Sequence, residues 1–217
     1  MFCSNCGYKL EEEAHFCSKC GKKVASAPSD HVGTFVEPND SVGTFTDHRD
    51  GRVYKTAKIG KQVWMTENLA YDVPGSKCYK GDPENFEKYG LLYDWKTAMN
   101  ACPPGWHLPS KEEWQELVDF AGGKEIAGNK LKAKNGWNHK EGKSGNGTDD
   151  FGFSALPGGS GVSDGSFSYV GDFGYWWTAT ENNSNYAYYW YICHTSTYVD
   201  SYSFGKASLY SVRCVQD

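Results

Sequence analysis

Ala101-Cys102-Pro103-Pro104-Gly105-Trp106-His107-Leu108-Pro109-Ser110-Lys111-Glu112-Glu113-Trp114 is the stretch on which the fold turns. Upstream of it, Leu92, Trp95, Ala98 and Met99 fall at helical spacing, which predicts a helix over 89–101. Pro103-Pro104-Gly105 stops that helix. Ser110, followed three residues on by Glu113, has the pattern of a capping box and opens a second helix. That helix turns Trp114, Leu117 and Val118 inward, has Phe120 at the margin of the same face, and stops at Gly122-Gly123.

Working outward, residues 52–59 alternate, Gly60-Lys61 turns the chain, and residues 62–65 continue, which predicts a hairpin. Residues 128–137 read equally as a short helix or a strand. Beyond Asn146 the composition shifts to Gly, Ser, Asp and aromatics. Short strands are expected there at 153–156, 175–180, 187–192 and 209–215, with a tight turn at Asp164-Gly165. Two helices followed by a strand-rich half predict an α+β fold. The main domain is expected over 44–217, after a linker at 25–43 that carries Pro28 and a short duplication, Val32-Gly33-Thr34-Phe35 and Val42-Gly43-Thr44-Phe45, whose second copy is expected to run into the first strand.

A chain of 217 residues with net charge −5 argues against general nucleic-acid binding. No apolar run approaches the ~20 residues of a membrane span. The first residues lack the basic and apolar regions of a secretory signal, so the expectation is a cytoplasmic protein. No Ser-His-Asp spacing, phosphate loop or His-Glu-x-x-His motif occurs.

Residues 1–24 stand apart. Cys3-Ser4-Asn5-Cys6-Gly7 and Cys17-Ser18-Lys19-Cys20-Gly21 are matched knuckles with ten residues between Cys6 and Cys17. Each turn aims two thiolates at one metal, and four thiolates in a tetrahedron make a closed, structural zinc site. A segment this short cannot bury a sufficient core, so Zn2+ binding would supply its folding energy. The competing readings are a redox pair or two disulfides. The unit resembles the short zinc ribbons at bacterial protein N-termini, which implies tethering, partner docking or oligomer contact.

The remaining motifs form an ordered set. They are Tyr89-Gly90-Leu91-Leu92-Tyr93-Asp94-Trp95, the opening stretch, Gly147-Thr148-Asp149-Asp150-Phe151-Gly152-Phe153, Gly174-Tyr175-Trp176-Trp177-Thr178-Ala179-Thr180 and Ser211-Val212-Arg213-Cys214-Val215. From Phe45 to the C-terminus they resemble the Fibrobacter succinogenes major paralogous domain. That resemblance implies a C-type-lectin-like fold related to the formylglycine-generating enzymes. It also places Cys102 and Cys214 where lectin-like domains join a first-helix cysteine to a last-strand cysteine, and bond and free thiols both stay open as readings, since a reducing cell favours thiols. For Trp95, Trp106, Trp114, Trp137, Trp176 and Trp177 the expectation is core packing, and for His107 a packed or hydrogen-bonded role. Asp149-Asp150 reads as an Asp-capped turn, with a calcium loop as the alternative.

Between Glu181 and Lys206 the one formal charge is Asp200, and Tyr, Ser, Thr, Asn and His crowd the rest. Tyrosine offers broad amphipathic contact at low entropy cost, and small polar residues offer adaptable hydrogen bonds, the composition of a paratope. The opposing reading is a Tyr-rich strand pair packed on itself. Most of these residue types are reachable from an asparagine codon by changing adenines alone. In that respect the chain resembles the variable proteins of diversity-generating retroelements, whose lectin-like targets vary near the C-terminus. The resemblance implies a scaffold held by Ala187, Trp190 and Val199. Its ligand contacts would be Tyr186, Tyr188, Tyr189, Tyr191, His194, Thr195, Ser196, Tyr198, Asp200, Tyr202 and Ser203. The expected function is non-enzymatic recognition of a protein or glycan. An assembly protein using the tyrosine surface as a subunit interface is the alternative, and an oxidase built on Cys193 and Cys214 the more distant one.

Overall fold

Val42–Thr46 (β1) pairs antiparallel with Val53–Ile59 (β2), and the Gly60-Lys61 turn leads into Gln62–Met65 (β3), as the alternation predicts. The computed structural model describes residues 42–217, which belong to a compact unit spanning Asn39–Asp217. Cys3, Cys6, Cys17 and Cys20, and the linker through residue 41, lie outside the described residues. Val42, Gly43, Thr44 and Phe45 all pair within β1, so the second copy of the duplication lies in the first described strand, as expected.

The single helix expected over 89–101 is replaced by shorter elements. After Ser76–Lys77 (β4) come Pro83–Tyr89 (α1), Leu92–Tyr93 (β5) and Trp95–Ala98 (α2). Helix α1 ends because Gly90 adopts φ 70°, where a Cβ would stand 2.7 Å from the Leu69 carbonyl oxygen. The Leu91 N–H donates to that same carbonyl, steering the chain into β5. Asp94 then accepts from the Thr97 N–H at 2.8 Å and starts α2. The helical spacing was therefore a coincidence of two elements, with Leu92 packed in a different cluster from Trp95 and Ala98.

Trp106–His107 (β6) leads to Lys111–Phe120 (α3), where both halves of the capping box form, the Glu113 N–H donating to Ser110 Oγ and the Ser110 N–H to Glu113 Oε2. Trp114, Leu117 and Val118 are buried as expected, while Phe120 is half exposed and tilts onto Phe151. Lys124–Leu131 (α4) is helical despite Gly128 in its interior, a position that costs about 1 kcal/mol relative to alanine. The reason is contact: a Cβ at Gly128 would lie 2.6 Å from the Thr197 carbonyl oxygen.

Ser160–Gly161 (β7) and Phe167–Ser168 (β8) form a small hairpin around the Asp164-Gly165 turn. Phe173–Glu181 (β9), Tyr186–Cys193 (β10) and Val199–Gly205 (β11) follow, then Tyr210–Ser211 (β12) and Val215–Gln216 (β13). The strand expected over 153–156 is reduced to one bridge, Lys132 to Ala155. The strand expected over 209–215 divides, because the chain crosses there from one sheet to the other. β11 was not among the expected strands; Val199, Tyr202 and Phe204 favour a strand, Asp200 and Gly205 do not, and pairing with β10 along its length decides it.

The fold is mixed α+β. One sheet runs β1-β2-β3-β13-β6 and another β11-β10-β9-β12-β5-β4, with antiparallel pairing except between β12 and β9. A core of aromatics surrounds Trp114, whose ring lies 5.0 Å from Trp64, 5.6 Å from Phe153 and 5.8 Å from Trp176. Trp106, Trp137 and Trp177 are also buried, and half-buried Trp95 donates its indole N–H to the Thr178 carbonyl. Cys102 and Cys214 are joined by a disulfide, closing a loop with a sequence separation of 112. Among the described residues no helix is long and apolar enough to cross a membrane.

Candidate functional site: an aromatic sheet face

The tract forms a hairpin on the edge of the six-stranded sheet, and alternation divides its side chains. Trp190 opposite Trp176 and Ile192 opposite Val199 and Gly174 turn toward the Trp114 core beneath α3. Tyr189 opposite Trp177 and Tyr202, and Tyr191 opposite Tyr175 and Asp200, occupy the other face.

On that outer face the rings are continuous. Tyr191 lies 5.9 Å from Tyr202, 6.4 Å from Tyr189 and 6.3 Å from Tyr175. Tyr189 touches Tyr210 at 4.9 Å, and Tyr210 touches Trp177 at 4.5 Å. Accessibility is graded across the cluster: Tyr210 is buried, Tyr175, Tyr189 and Tyr191 are half-buried, and Tyr202 is 55% exposed. Burial pushes the phenol pKa of Tyr175, Tyr189, Tyr191 and Tyr210 upward, with neighbouring tyrosines adding to it. All four stay protonated at neutral pH and present O–H donors.

The other expected contact residues lie elsewhere. Tyr188 projects on the helix side beyond the start of α3, with the Lys111 ammonium 4.0 Å from its ring centroid. Its hydroxyl donates to Asn182 Oδ1, and the Asn182 amide donates to Ser203 Oγ. Tyr186, 43% exposed, opens β10 opposite Gly205. His194, Thr195, Ser196 and Tyr198 form the β10–β11 loop. The His194 N–H donates to the Asp172 carbonyl, and Lys132 Nζ donates to the Ser196 carbonyl at 3.0 Å. Lys132 is itself buried, which pulls its pKa down. Asp200 is paired with Lys124 at 2.5 Å. Of the expected set, Tyr189, Tyr191 and Tyr202 thus share one ring cluster, and Asp200, opposite Tyr191 in the register, has its carboxylate drawn to Lys124.

Tyr175 and Tyr210 complete that surface and were absent from the expected contacts. Period-two alternation with Trp177 could have exposed Tyr175. Nothing local points to Tyr210, which reaches the face because β12 crosses back beside β9. Asp149 serves as a turn cap: its carboxylate accepts both the N–H and the hydroxyl of Ser154. Cys193 is a free thiol 3.1 Å from Thr195 Oγ1, whereas Cys214 is bonded to Cys102.

Residues 57–216 match the family described as the Fibrobacter succinogenes major domain, and residues 2–24 match a zinc-ribbon domain. The first match covers most of the chain, and the protein belongs to the Fibrobacter succinogenes major domain family. No curated protein and no solved structure matches it.

Proposed function

We propose that the protein is a non-enzymatic recognition module with a C-type-lectin-like domain, whose C-terminal hairpin presents a diversified aromatic face to a protein or glycan. The observation that carries this reading is the position of Tyr189, Tyr191 and Tyr202 on the outer face of a sheet whose inner face is locked by Trp176 and Trp190. A rigid base beneath graded, hydroxyl-bearing rings suits binding by a few aromatic anchors. Cys102 engages Cys214, the cysteine that an oxidase reading would pair with Cys193. Cys3, Cys6, Cys17 and Cys20 form a donor set suited to structural Zn2+ and would hold it as a folding and docking element.

The test is binding to arrayed glycans and proteins by the full chain and by Tyr202→Ala and Tyr191→Ala variants. The reading requires a partner whose binding falls at least tenfold in the variants without loss of fold. A partner bound equally by all three proteins would overturn it. Light scattering provides the competing outcome: an oligomer dissolved by the tyrosine substitutions, but not by deletion of residues 1–24, would make this face a subunit interface.

A further inference from the structure

Beside the exposed aromatic face lies a recess of about 280 Å³. One wall is aromatic: Tyr175, Tyr189, Tyr210 and Phe204 from the sheet, with Tyr169 at the mouth. The opposite wall is the β7–β8 hairpin, which contributes Ser160, Ser166 and Ser168, while Ser208 lines the recess from the β11–β12 turn. Among the described residues, no charged side chain lines it.

The hairpin wall is built in place. Gly161 and Leu209 exchange both backbone hydrogen bonds, the Gly159 N–H donates to the Phe173 carbonyl, and Phe167 packs on Tyr79 at 5.2 Å. Tyr169 is set by an edge contact with Phe173. The recess therefore exists before any ligand arrives.

We infer that this recess is a subsite for one uncharged pyranose ring, an inference that rests on the recognition reading above and assigns its glycan branch a place. The size is the first argument. Pockets for drug-sized ligands run from roughly 300 to 1,000 Å³, and this one falls just below them, suited to a single ring. The chemistry is the second. A pyranose has an apolar C–H face for the tyrosine rings and a rim of hydroxyls that both donate and accept, as serine and tyrosine hydroxyls do. Among the described residues, neither Tyr175 nor Tyr189 has a hydrogen bond from its phenol oxygen to a protein group. An aromatic peptide side chain would fill the space but offer nothing to the Ser160 and Ser168 hydroxyls, which have no partner among the described residues, whereas Ser166 is bonded to Asp164 and Ser208 to Tyr210. An anionic sugar would find no cation in the lining.

The test is saturation-transfer-difference NMR on the full-length protein with methyl glycosides of glucose, galactose, mannose and N-acetylglucosamine. N-acetyltyrosine amide and glucose 6-phosphate serve as the contrasting probes. At least one glycoside is expected to bind with a dissociation constant of about 1 mM, the range for so small a ligand. Ser168→Trp, which fills the recess from an exposed position, and Tyr169→Ala, which removes its mouth, should each weaken binding at least tenfold. Val53→Ala, an exposed position on β2 in the other sheet, should not. Matching Tm values establish that the variants fold. Competition by an oligosaccharide bearing the same terminal residue separates a free sugar from a glycan end as the source. The inference is overturned if no glycoside binds, if binding survives both recess variants, or if N-acetyltyrosine amide binds there and the glycosides do not. A macromolecular partner lost in Tyr202→Ala while the sugars fail would leave the recognition reading standing without this subsite.

Discussion

Tyr189 of β10 and Tyr210 of β12 bring their rings to 4.9 Å although β9 lies between their strands. The contact joins the tyrosine-rich hairpin to β12, so the outer face is continuous with the core at one end and with solvent at the other.

That gradient separates two kinds of substitution. Tyr202→Ala removes a ring that is mostly in water and should change stability by no more than about 0.5 kcal/mol. Tyr210→Ala empties a buried site between Trp177 and Tyr189 and should cost about 3 kcal/mol or more. Urea titration of both variants measures the difference. Equal losses would mean that the whole tract is core.

Arg213 is fully buried and held by oxygens of neutral groups. It donates to Asn68 Oδ1 and to the carbonyls of Met65, Phe153 and Ser154, with its guanidinium 4.6 Å from the Phe153 ring centroid. Burial pulls its pKa down to about 9, so it remains cationic at neutral pH. Lysine cannot reproduce this fork. Arg213→Lys is expected to lose roughly 3 kcal/mol in denaturant unfolding, and an unchanged midpoint would contradict the assigned network.

Reduction of the Cys102–Cys214 bond releases a loop with a sequence separation of 112. Chain entropy sets the expected loss near 5 kcal/mol, and measured losses for native bonds run from about 2 to 5 kcal/mol. Thermal unfolding with and without reductant, with Cys102→Ser as the control, should give the same drop. A reductant-insensitive Tm would show that the bond contributes nothing in solution.

His107 is gripped from both sides, its Nε2 at 2.8 Å from Glu113 Oε1 and its Nδ1 at 2.7 Å from Asp217 Oδ1. Burial lowers its pKa, but the two hydrogen bonds and the two carboxylate charges together raise it above the ordinary value. A raised pKa means stability fully present below about 6.5, the unfolded value, and lost as pH climbs through the folded value. Partial exposure limits the effect to about 1 kcal/mol or less. The Tm gap between wild type and His107→Gln should therefore narrow between pH 6 and 8. A gap independent of pH would show that the imidazole acts only as a spacer.

Part of the fold is legible locally. The Ser110–Glu113 box, the Gly60-Lys61 hairpin and the Asp164-Gly165 turn are short-range chemistry, and each forms where its residues predict. Helix α1 ends early because of the Leu69 carbonyl, which no window around Gly90 contains. β11 forms because β10 lies beside it. The candidate site follows the same division: the tyrosine-rich composition marked the right hairpin, but Tyr175 and Tyr210 join the face through strand pairings distant in sequence.

By itself the sequence determined the mixed α+β class, the family, the four-cysteine unit at the N-terminus and the place of the aromatic hairpin, because capping, turn formation and thiolate spacing act over a few residues. Only the tertiary structure decided which tyrosines share a surface. Side-chain direction alternates along a strand, so register sends Tyr189 and Tyr191 outward, Tyr188 toward Lys111, and Trp190 into the core. Register is fixed by the partner strands, and composition carries no record of it.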